Sequence, residues 1–536
     1  MSRIIIDGKH GAPVSPILYG VSFEDKSFSC DGGINANLIP NHSFDGFDPL
    51  QHWNFTGGSI RFSSEKRGES SYAIIYSEGD GFLSNLGYNG NSKYIDIPAI
   101  GIREEHTYIF SCDIRRMDYQ GQLYVNVVNR ADRALVKERS LQLPEDTEWH
   151  HMEIILMSRE TNCGKLLLHF KGRGTVYLDQ VSLIDADYWG AGNPKWSGGK
   201  LRRDLVSAIE QLRPSFIRFP GGRSGTYEYK WKNTVGPIIN RKANGQYSVQ
   251  VGFYEFFCMC EDLEAKPIPM LWTDDIDDYL DLIEFAKGDP AKNKWAAIRS
   301  EMGHPAPFEN FDRMRVPNNA IADRIHAKYP DFWAVPSDGY FPPNGNASDT
   351  LAAALIEAAK LTRVEQLGDE KRRVSYVSLI SMAEYGYERH SLITFNPLSV
   401  SRSANYYVQQ LFSSSMGEWL LGFETSELPG GHFLSVTGDE GAIYIKYVNT
   451  TGHDEHVEVV CPSKVAASWA EILTAVGDES DIDSPGGITT ARNEIAFDRM
   501  VLEQVRVREM DHELEGNIIR FVSKAYSVAT IHAEEM

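Results

Sequence analysis

The chain has few cysteines and no long apolar run. Six cysteines in 536 residues are too few for a disulfide scaffold. Cys258 and Cys260 are one residue apart, but they fall in an apolar segment, 253–263, that predicts a buried helix, so we expect no metal site. No stretch of 18 apolar residues occurs, so no membrane-spanning helix is expected.

Basic residues are also fewer than acidic residues. The chain has 53 lysines and arginines against 74 acidic residues, which gives a net charge of −21. This balance disfavours nucleic acid or an anionic membrane as a partner. The first residues, MSRIIIDGKHG, have no apolar run behind their charges and do not predict a signal peptide. We therefore expect an intracellular protein, in the cytoplasm or an organelle, unless a leader has been removed.

The usual cofactor and nucleophile motifs are missing. No glycine-rich dinucleotide or phosphate loop, no His-Glu-x-x-His and no Gly-x-Ser-x-Gly occurs in the sequence. The sequence therefore predicts no cofactor.

What is present is a change of periodicity along the chain. Apolar residues alternate in short segments over 53–184, which is typical of an antiparallel β-sandwich. From 201 helical and buried-strand patterns alternate, which predicts parallel βα units with helices near 251–264, 277–287, 351–366 and 404–413. Strand alternation returns from about 415. The strand at 3–6 is expected to pair with these late strands or with the βα units.

Several segments together carry a resemblance to a known family. They are SPILYGVSFED (15–25), DGGINANLIPNHSF (31–44), VYLDQVSLI (176–184), LRRDLVSAIEQLRPSFIRFPGG (201–222), WKNTVGPI (231–238), DLIEFAKGD (281–289), WAAIRSEMGHPAPF (295–308) and YYVQQLFSSSMGEWLL (406–421). In this order they resemble glycoside hydrolase family 51, the α-L-arabinofuranosidases, in the longer form with an inserted carbohydrate-binding-like domain.

The resemblance implies a fold of class α/β plus all-β. A (β/α)8-type barrel, an inserted β-sandwich and a C-terminal β-sandwich are expected. The domain limits that follow are 1–45 for the N-terminal strand and the first barrel strand, 46–186 for the inserted domain, 187–412 for the barrel and 413–536 for the C-terminal sandwich.

The resemblance also implies residues that bind a sugar at the carboxyl ends of the barrel strands. Glu24, after the first strand, matches a family carboxylate that contacts the sugar. Gly221 and Gly222 match a tight turn after the second strand, where glycine lets the backbone approach the pocket. Arg223 departs from the small residue of the family and is expected to fill the pocket or to pair with Glu24.

The position of the catalytic acid departs from the family most clearly. The family has a strand ending in Gly-Asn-Glu, whose glutamate is the acid/base. Here Pro317, Asn318 and Asn319 occupy those places, so Asn318 is the expected substrate-binding residue. Because an amide cannot give up a proton near neutral pH, general-acid catalysis is not expected at Asn319.

The strand that carries the nucleophile in the family is expected to be missing or replaced. Only eleven residues, 340–350, connect the region after the fifth expected strand to the helix at 351–366. A strand–helix–strand segment does not fit in that length, so two of eight barrel strands are expected to be missing. Asp338 and Glu384 are the remaining weak candidates for a catalytic carboxylate.

The sequence therefore favours a family homologue without catalytic activity. It is expected to act as a carbohydrate-binding or structural protein, or as a subunit of a larger assembly. The alternative is an active α-L-arabinofuranosidase that removes terminal arabinofuranosyl residues from oligosaccharides with relocated carboxylates. A third possibility is sugar binding by the inserted sandwich, which requires exposed aromatic side chains, with Trp53 and Tyr88 as the nearest candidates.

Overall fold

The structure is a computed structural model of the 536-residue chain. It describes residues 1–25, 28–46, 48–89, 97–220, 229–242, 250–271, 273–335, 340–341, 349–368, 373–376, 379–383, 391–426, 428–475, 487–495 and 502–536. No helix within these ranges is long and apolar enough to cross a membrane.

The chain begins with two strands that belong to different sheets. Strand β1 (Ser2–Pro13) joins the C-terminal sheet, and β2 (Tyr19–Ser22) is the first strand of the parallel βα region. The sequence left both partners open for the first strand, and the structure pairs it with the late strands.

The next eight strands form one antiparallel unit. They are β3 (Trp53–Phe62), β4 (Ala73–Asn85), β5 (Ile100–Ile102), β6 (Thr107–Arg116), β7 (Gln120–Val128), β8 (Arg139–Leu141), β9 (Trp149–Met157) and β10 (Asn162–Asp185). Strand β10 is the organising element, because it pairs with β4 over much of its length, with β7 in its first half and with β6 in its second half. Alternate residues of these strands point inward and form a closed apolar core. Period-two alternation in the sequence predicts this unit correctly.

The central region contains nine short strands and seven helices among the described residues. The strands are β11 (Phe216–Phe219), β12 (Lys266–Pro269), β13 (Arg313–Arg315), β14 (Trp333–Val335), β15 (Tyr340–Phe341), β16 (Arg373–Tyr376), β17 (Ile380–Met382), β18 (Ile393–Phe395) and β19 (Val400–Arg402). The helices are α1 (Arg203–Gln211), α2 (Phe253–Asp262), α3 (Ile276–Lys287), α4 (Lys294–Glu301), α5 (Asn319–Lys328), α6 (Leu351–Gln366) and α7 (Ala404–Ser414).

Seven strands of this region follow one another in parallel. Five form the sheet β15-β16-β2-β11-β12, and β13 and β14 form a second pair. A parallel bridge between Met270 and Arg315 joins the two groups. Strand β15 lies in the connection 340–350, where the sequence predicts no strand, and the predicted number of missing barrel strands stays a prediction. Strands β14 and β15 stand at the two ends of this series and do not pair with each other in the described residues.

The last strands form a ten-stranded sheet together with β1. They are β20 (Trp419–Thr425), β21 (His432–Asp439), β22 (Ala442–Asn449), β23 (Glu455–Val460), β24 (Val465–Ala475), β25 (Asn493–Glu494), β26 (Leu502–Glu503), β27 (Val505–Glu509), β28 (His512–Glu515), β29 (Ile518–Ser523) and β30 (Ser527–Glu535), of which β25 and β26 form a separate pair. Strand β1 lies between β20 and β23. Helices α6 and α7 pack against this sheet and join it to the parallel strands.

Candidate functional site

Glu24 lies at the carboxyl edge of the parallel strands. Strand β2 ends at Ser22, and Glu24 follows two residues later with only 6% of its surface exposed. The preceding backbone is fixed, because the Phe23 amide donates to the Arg218 carbonyl at 2.8 Å and the Phe23 and Phe219 rings stack at 5.5 Å. A buried carboxylate at this edge is a suitable acceptor for hydroxyl groups of a ligand.

Asp25 is directed towards a second set of buried groups. The Cys30 thiol and the Tyr229 hydroxyl both lie near it. Burial, reinforced by the neighbouring Asp25 charge, raises the pKa of the Cys30 thiol and of the Tyr229 phenol well above their ordinary values. Both groups are therefore protonated at neutral pH and act as hydrogen-bonding groups rather than as nucleophiles.

Two arginines stand at the carboxyl ends of the neighbouring strands. Arg218, in β11, directs Nη2 to the sulfur of Met270 at 3.6 Å. The Met270 amide donates to the Phe219 carbonyl at 2.7 Å, and Met270 bridges to Arg315, the last residue of β13. Because the carboxyl ends of parallel strands meet at one edge of the sheet, a carboxylate (Glu24) and two guanidinium groups (Arg218 and Arg315) lie near that edge.

The position expected for the acid/base begins a helix. After β13 the chain passes through the buried Val316, and Pro317, Asn318 and Asn319 are exposed. The side-chain oxygen of Asn318 accepts from the Ile321 amide at 3.1 Å and caps α5. Asn319 is the first residue of that helix. Thus Asn318 has a structural role that the sequence comparison did not predict, in addition to its predicted contact with substrate.

The other predicted site residues lie outside the described residues. They are Gly221, Gly222, Arg223, Asp338 and Glu384. Their predicted roles therefore stay predictions.

The described residues contain no group of three or more His, Cys, Asp or Glu side chains that could hold a metal ion. Cys258 and Cys260 are buried, free thiols on α2. Burial raises the pKa of both thiols well above the ordinary value, which disfavours the thiolate form that a metal would need.

Sequence reasoning proposed Glu24 and did not propose the charged residues at the same edge. A signal was present, because Arg218 interrupts the apolar strand FIRF and two arginines flank Met314 in the strand RMR. A charge inside a buried strand requires a partner or a ligand. The neighbours of Asp25 were not predictable, since they come from a turn at 30 and a loop at 229.

The chain matches a family model over part of the barrel region. The model, described as the α-L-arabinofuranosidase 1 domain, matches residues 208–350. An extracellular exo-α-L-arabinofuranosidase of Streptomyces chartreusis is 27% identical over 78% of this chain and 62% of its own length. Alpha-L-arabinofuranosidase 1 of Arabidopsis thaliana is 25% identical over 89% of this chain and 84% of its own. The chain thus spans less than two thirds of the Streptomyces relative.

Solved structures show the same fold. The arabinose-bound MgGH51 α-L-arabinofuranosidase superimposes with a TM-score of 0.81 over 99% of this chain and 100% of its own, at 20% identity. A family 51 α-L-arabinofuranosidase of Bifidobacterium longum gives 0.52 over 99% of both chains, at 11% identity. The fold class is therefore a TIM barrel with attached β-sandwiches. This is the scaffold of the glycoside hydrolases that the chain resembles. Together, the matching family model, the similar curated proteins and the similar solved structure support the assignment of this chain to glycoside hydrolase family 51, the α-L-arabinofuranosidases.

Proposed function

We propose that this chain is an arabinofuranosidase-like protein that binds carbohydrate without hydrolysing it. The observation that carries the proposal is the start of α5. Where the family has a general acid, this chain has Asn319 as the first helical residue, after an asparagine that caps the helix. An amide supplies no proton to a leaving group, and loss of that assistance alone costs about 10²–10⁴ in rate.

The order of the barrel strands supports the proposal. A retaining or inverting glycosidase needs a second carboxylate at a defined distance from the first. In the proposed incomplete barrel, one strand is missing from the series between β14 and β15, and the two-residue β15 stands in the place of the family strand that delivers this group, directly before α6. The two strands do not pair in the described residues, and only two residues form β15. Exposed strand edges at this place would need cover from a loop or from a partner chain.

Charged groups at the carboxyl edge of the parallel strands support the binding half of the proposal. Glu24 stays buried at the end of β2, and Arg218 and Arg315 lie at the same edge. Because Glu24 is only 6% exposed, it is not a solvated surface acid, which favours a role in the pocket at this edge. The ligand class expected from the relatives is an arabinose-containing oligosaccharide.

The alternative is an active α-L-arabinofuranosidase. One observation favours it, namely the acidic pair Glu24 and Asp25 at the carboxyl edge, with Asp25 next to buried protonated groups. A nucleophile would then have to come from Asp338 or Glu384.

Hydrolysis of 4-nitrophenyl α-L-arabinofuranoside distinguishes the two proposals. We expect no release above background from the full-length chain, and no rescue by Asn319→Glu. Calorimetric titration with arabino-oligosaccharides should show binding that Glu24→Gln weakens and that Glu440→Gln, at an exposed turn, leaves unchanged. Turnover that disappears in Asp338→Asn or Glu384→Gln would establish the alternative. Absence of both turnover and titratable binding would exclude both.

A further inference from the structure

A concavity of about 490 Å³ lies where the inserted domain meets the barrel region. Its wall comes from the β5–β6 turn and the end of β10, from the first turn of α1, and from the β18–β19 connection with β19. Concavities of this size at domain boundaries are where small ligands commonly bind. We call it the junction cavity. Its lining includes none of the carboxyl-edge residues Glu24, Arg218 and Arg315.

Positive charge exceeds negative charge in the wall of the junction cavity. Four guanidinium groups and three carboxylates line it, and they belong to Arg103, Arg202, Arg203 and Arg402 and to Asp185, Asp187 and Asp204. The wall is therefore positive even when His106, which also lines it, is neutral. The whole chain, in contrast, has a net charge of −21. A basic concavity in so acidic a chain favours an anionic ligand.

Two of the arginines share one carboxylate, and a third has none. Asp204 lies 2.7 Å from Arg103 Nη2 and 2.8 Å from Arg202 Nη2. Arg402 forms no ion pair among the described residues, and its Nη2 donates to the side-chain oxygen of Gln211 at 3.1 Å. Within the same part of the chain, the Nε of Arg402 has no hydrogen-bond acceptor. Arg402 thus has a positive charge that an anion can neutralise.

The fourth arginine forms an ion pair at the solvent-exposed side of the cavity. Arg203 Nε lies 2.7 Å from Asp187, and the two side chains are 43% and 61% exposed. An exposed pair of this kind contributes only about 0–1 kcal/mol. An incoming anion can therefore replace Asp187 as the partner of Arg203 with little loss of stability.

Apolar side chains complete the wall of the junction cavity. Leu38, Pro397, Leu398 and Val400 line it together with the guanidinium groups. The Leu398 carbonyl accepts from Arg103 Nη2 at 3.3 Å, which holds the β18–β19 connection next to the arginine. A wall that combines a few charged donors with apolar side chains suits a ligand that has a charged group on an apolar body.

We propose that the junction cavity binds a small organic anion, with a carboxylate or phosphate group on an apolar body. Guanidinium groups present forked N–H donors that match both kinds of oxyanion. Arg203 and Arg402 are the donors available to the charged group, and Leu398 and Val400 contact the apolar body. The proposal goes beyond the proposed function and does not depend on it.

Binding in the junction cavity joins two regions of the molecule. Arg103 belongs to the inserted domain, whereas Arg203 and Arg402 belong to the barrel region. A ligand that contacts both regions binds only while they are docked, so it stabilises the docked arrangement as its concentration rises above Kd. The anion is thus expected to act as an effector of the junction.

The junction cavity differs from the sugar site that the sequence favours for the inserted domain. That site requires exposed aromatic side chains, with Trp53 and Tyr88 as candidates. These residues are 6% and 8% exposed and belong to the apolar cores, so the expectation for them is wrong. Neither residue lines the junction cavity.

Calorimetric titration of the full-length chain with phenyl phosphate and with benzoate tests the proposal and distinguishes phosphate from carboxylate. We expect at least one of them to bind, inorganic phosphate to bind more weakly, and benzyl alcohol to show no binding. Arg402→Gln and Arg203→Gln should each lower the affinity about tenfold, because each removes a charged donor. Arg3→Gln, which removes an exposed guanidinium group on the C-terminal sheet, is the matched control and should leave the affinity unchanged.

Asp187→Asn separates ligand binding from a purely structural role of the ion pair. This substitution should raise the affinity for the anion, because Arg203 loses its competing carboxylate, whereas Arg203→Gln lowers it. A loss of affinity in both variants would overturn the proposal. If Arg402→Gln fails to fold, as judged by circular dichroism, these two variants of the exposed pair decide.

The remaining outcomes separate the junction cavity from the carboxyl edge. Absence of binding by both organic anions would overturn the proposal, as would equal affinities in Arg203→Gln, Arg402→Gln and Arg3→Gln. Glu24→Gln should leave the affinity for the anion unchanged, and a loss in that variant would assign the anion to the carboxyl edge instead. Failure of arabino-oligosaccharides to bind would contradict the proposed function alone, because the anion titration does not involve it.

Discussion

At the scale of single residues, burial decides the behaviour of Glu357. This residue lies fully buried on α6, where Asn405 and Gln409 of α7 donate to its two oxygens. Burial, only partly offset by these donors, raises the pKa of Glu357 to about 7. The carboxyl group is therefore partly protonated at neutral pH. The stability of the contact between α6 and α7 should consequently depend on pH.

Glu357→Gln should remove a pH dependence of stability. The folded chain retains a proton that the unfolded chain releases from about pH 4.5 upwards, so stability falls as pH rises towards 7 and is level above it. The shift corresponds to about 3 kcal/mol. We expect urea midpoints of the parent to fall between pH 5 and pH 8 by more than those of the variant. Glu440→Gln, at an exposed turn, is the control. Identical pH slopes in parent and variant would contradict the buried titration.

The site residues show what the sequence could provide at this scale. The resemblance proposed Glu24 as a sugar contact and Asn319 at the acid/base position, and the structure places Glu24 after β2 and Asn319 at the start of α5. It could not identify the neighbours of Asp25, or the alignment of Phe82, His169 and Tyr124 on three adjacent strands. Those groupings depend on which strands pair and in what register, and a shift of one residue would move each side chain to the other face.

At the scale of elements, the capping of α5 can be separated from substrate binding. Asn318→Ala should lower the free energy of unfolding by about 1 kcal/mol, because the Ile321 amide loses its acceptor. Asn318→Asp and Asn318→Ser should retain most of it. Asn319→Ala is the matched control, one residue further along the same helix. Denaturant titration measures the free energy of unfolding of Asn318→Ala. If it equals that of the parent while sugar binding is weaker, substrate binding matters more than helix capping at this position.

Helices were more predictable than the short strands. The helix predicted at 351–366 is confirmed at Leu351–Gln366, where Thr350 caps its first turn. The strand predicted at 374–381 is instead divided between β16 and β17, and β17 pairs with β18 rather than with β2. Helical periodicity is a local property over many residues, whereas a three-residue strand is defined by its partners. Strand β15 illustrates this limit, since two residues give no pattern.

At the scale of the whole molecule, a cluster of charged side chains forms ion pairs between the inserted domain and the barrel region. Arg103 of the inserted domain contacts Asp204 of α1 at 2.7 Å, and Arg202 contacts the same carboxylate at 2.8 Å. Although burial opposes ionisation, Arg202 and Arg103 hold the pKa of Asp204 well below its ordinary value. The predicted domain limits stay predictions, but this cluster is where the two regions meet electrostatically.

Asp204→Asn should loosen this junction selectively. The substitution leaves two guanidinium groups close together without their shared counter-charge, which should cost about 1–3 kcal/mol. Hydrogen exchange should become faster in α1 and β5, while the C-terminal sheet keeps its protection.

Because the pKa of Asp204 is depressed in the folded chain, the contribution of Asp204 to stability is present above the ordinary carboxyl pKa range. That contribution is lost only as pH falls through the pKa of the folded chain. The deficit of the variant should therefore be equal at pH 6 and pH 8. Asp187→Asn, which removes an exposed pair with Arg203 nearby, should change little. Equal effects of the two substitutions would mean that the cluster does not join the domains.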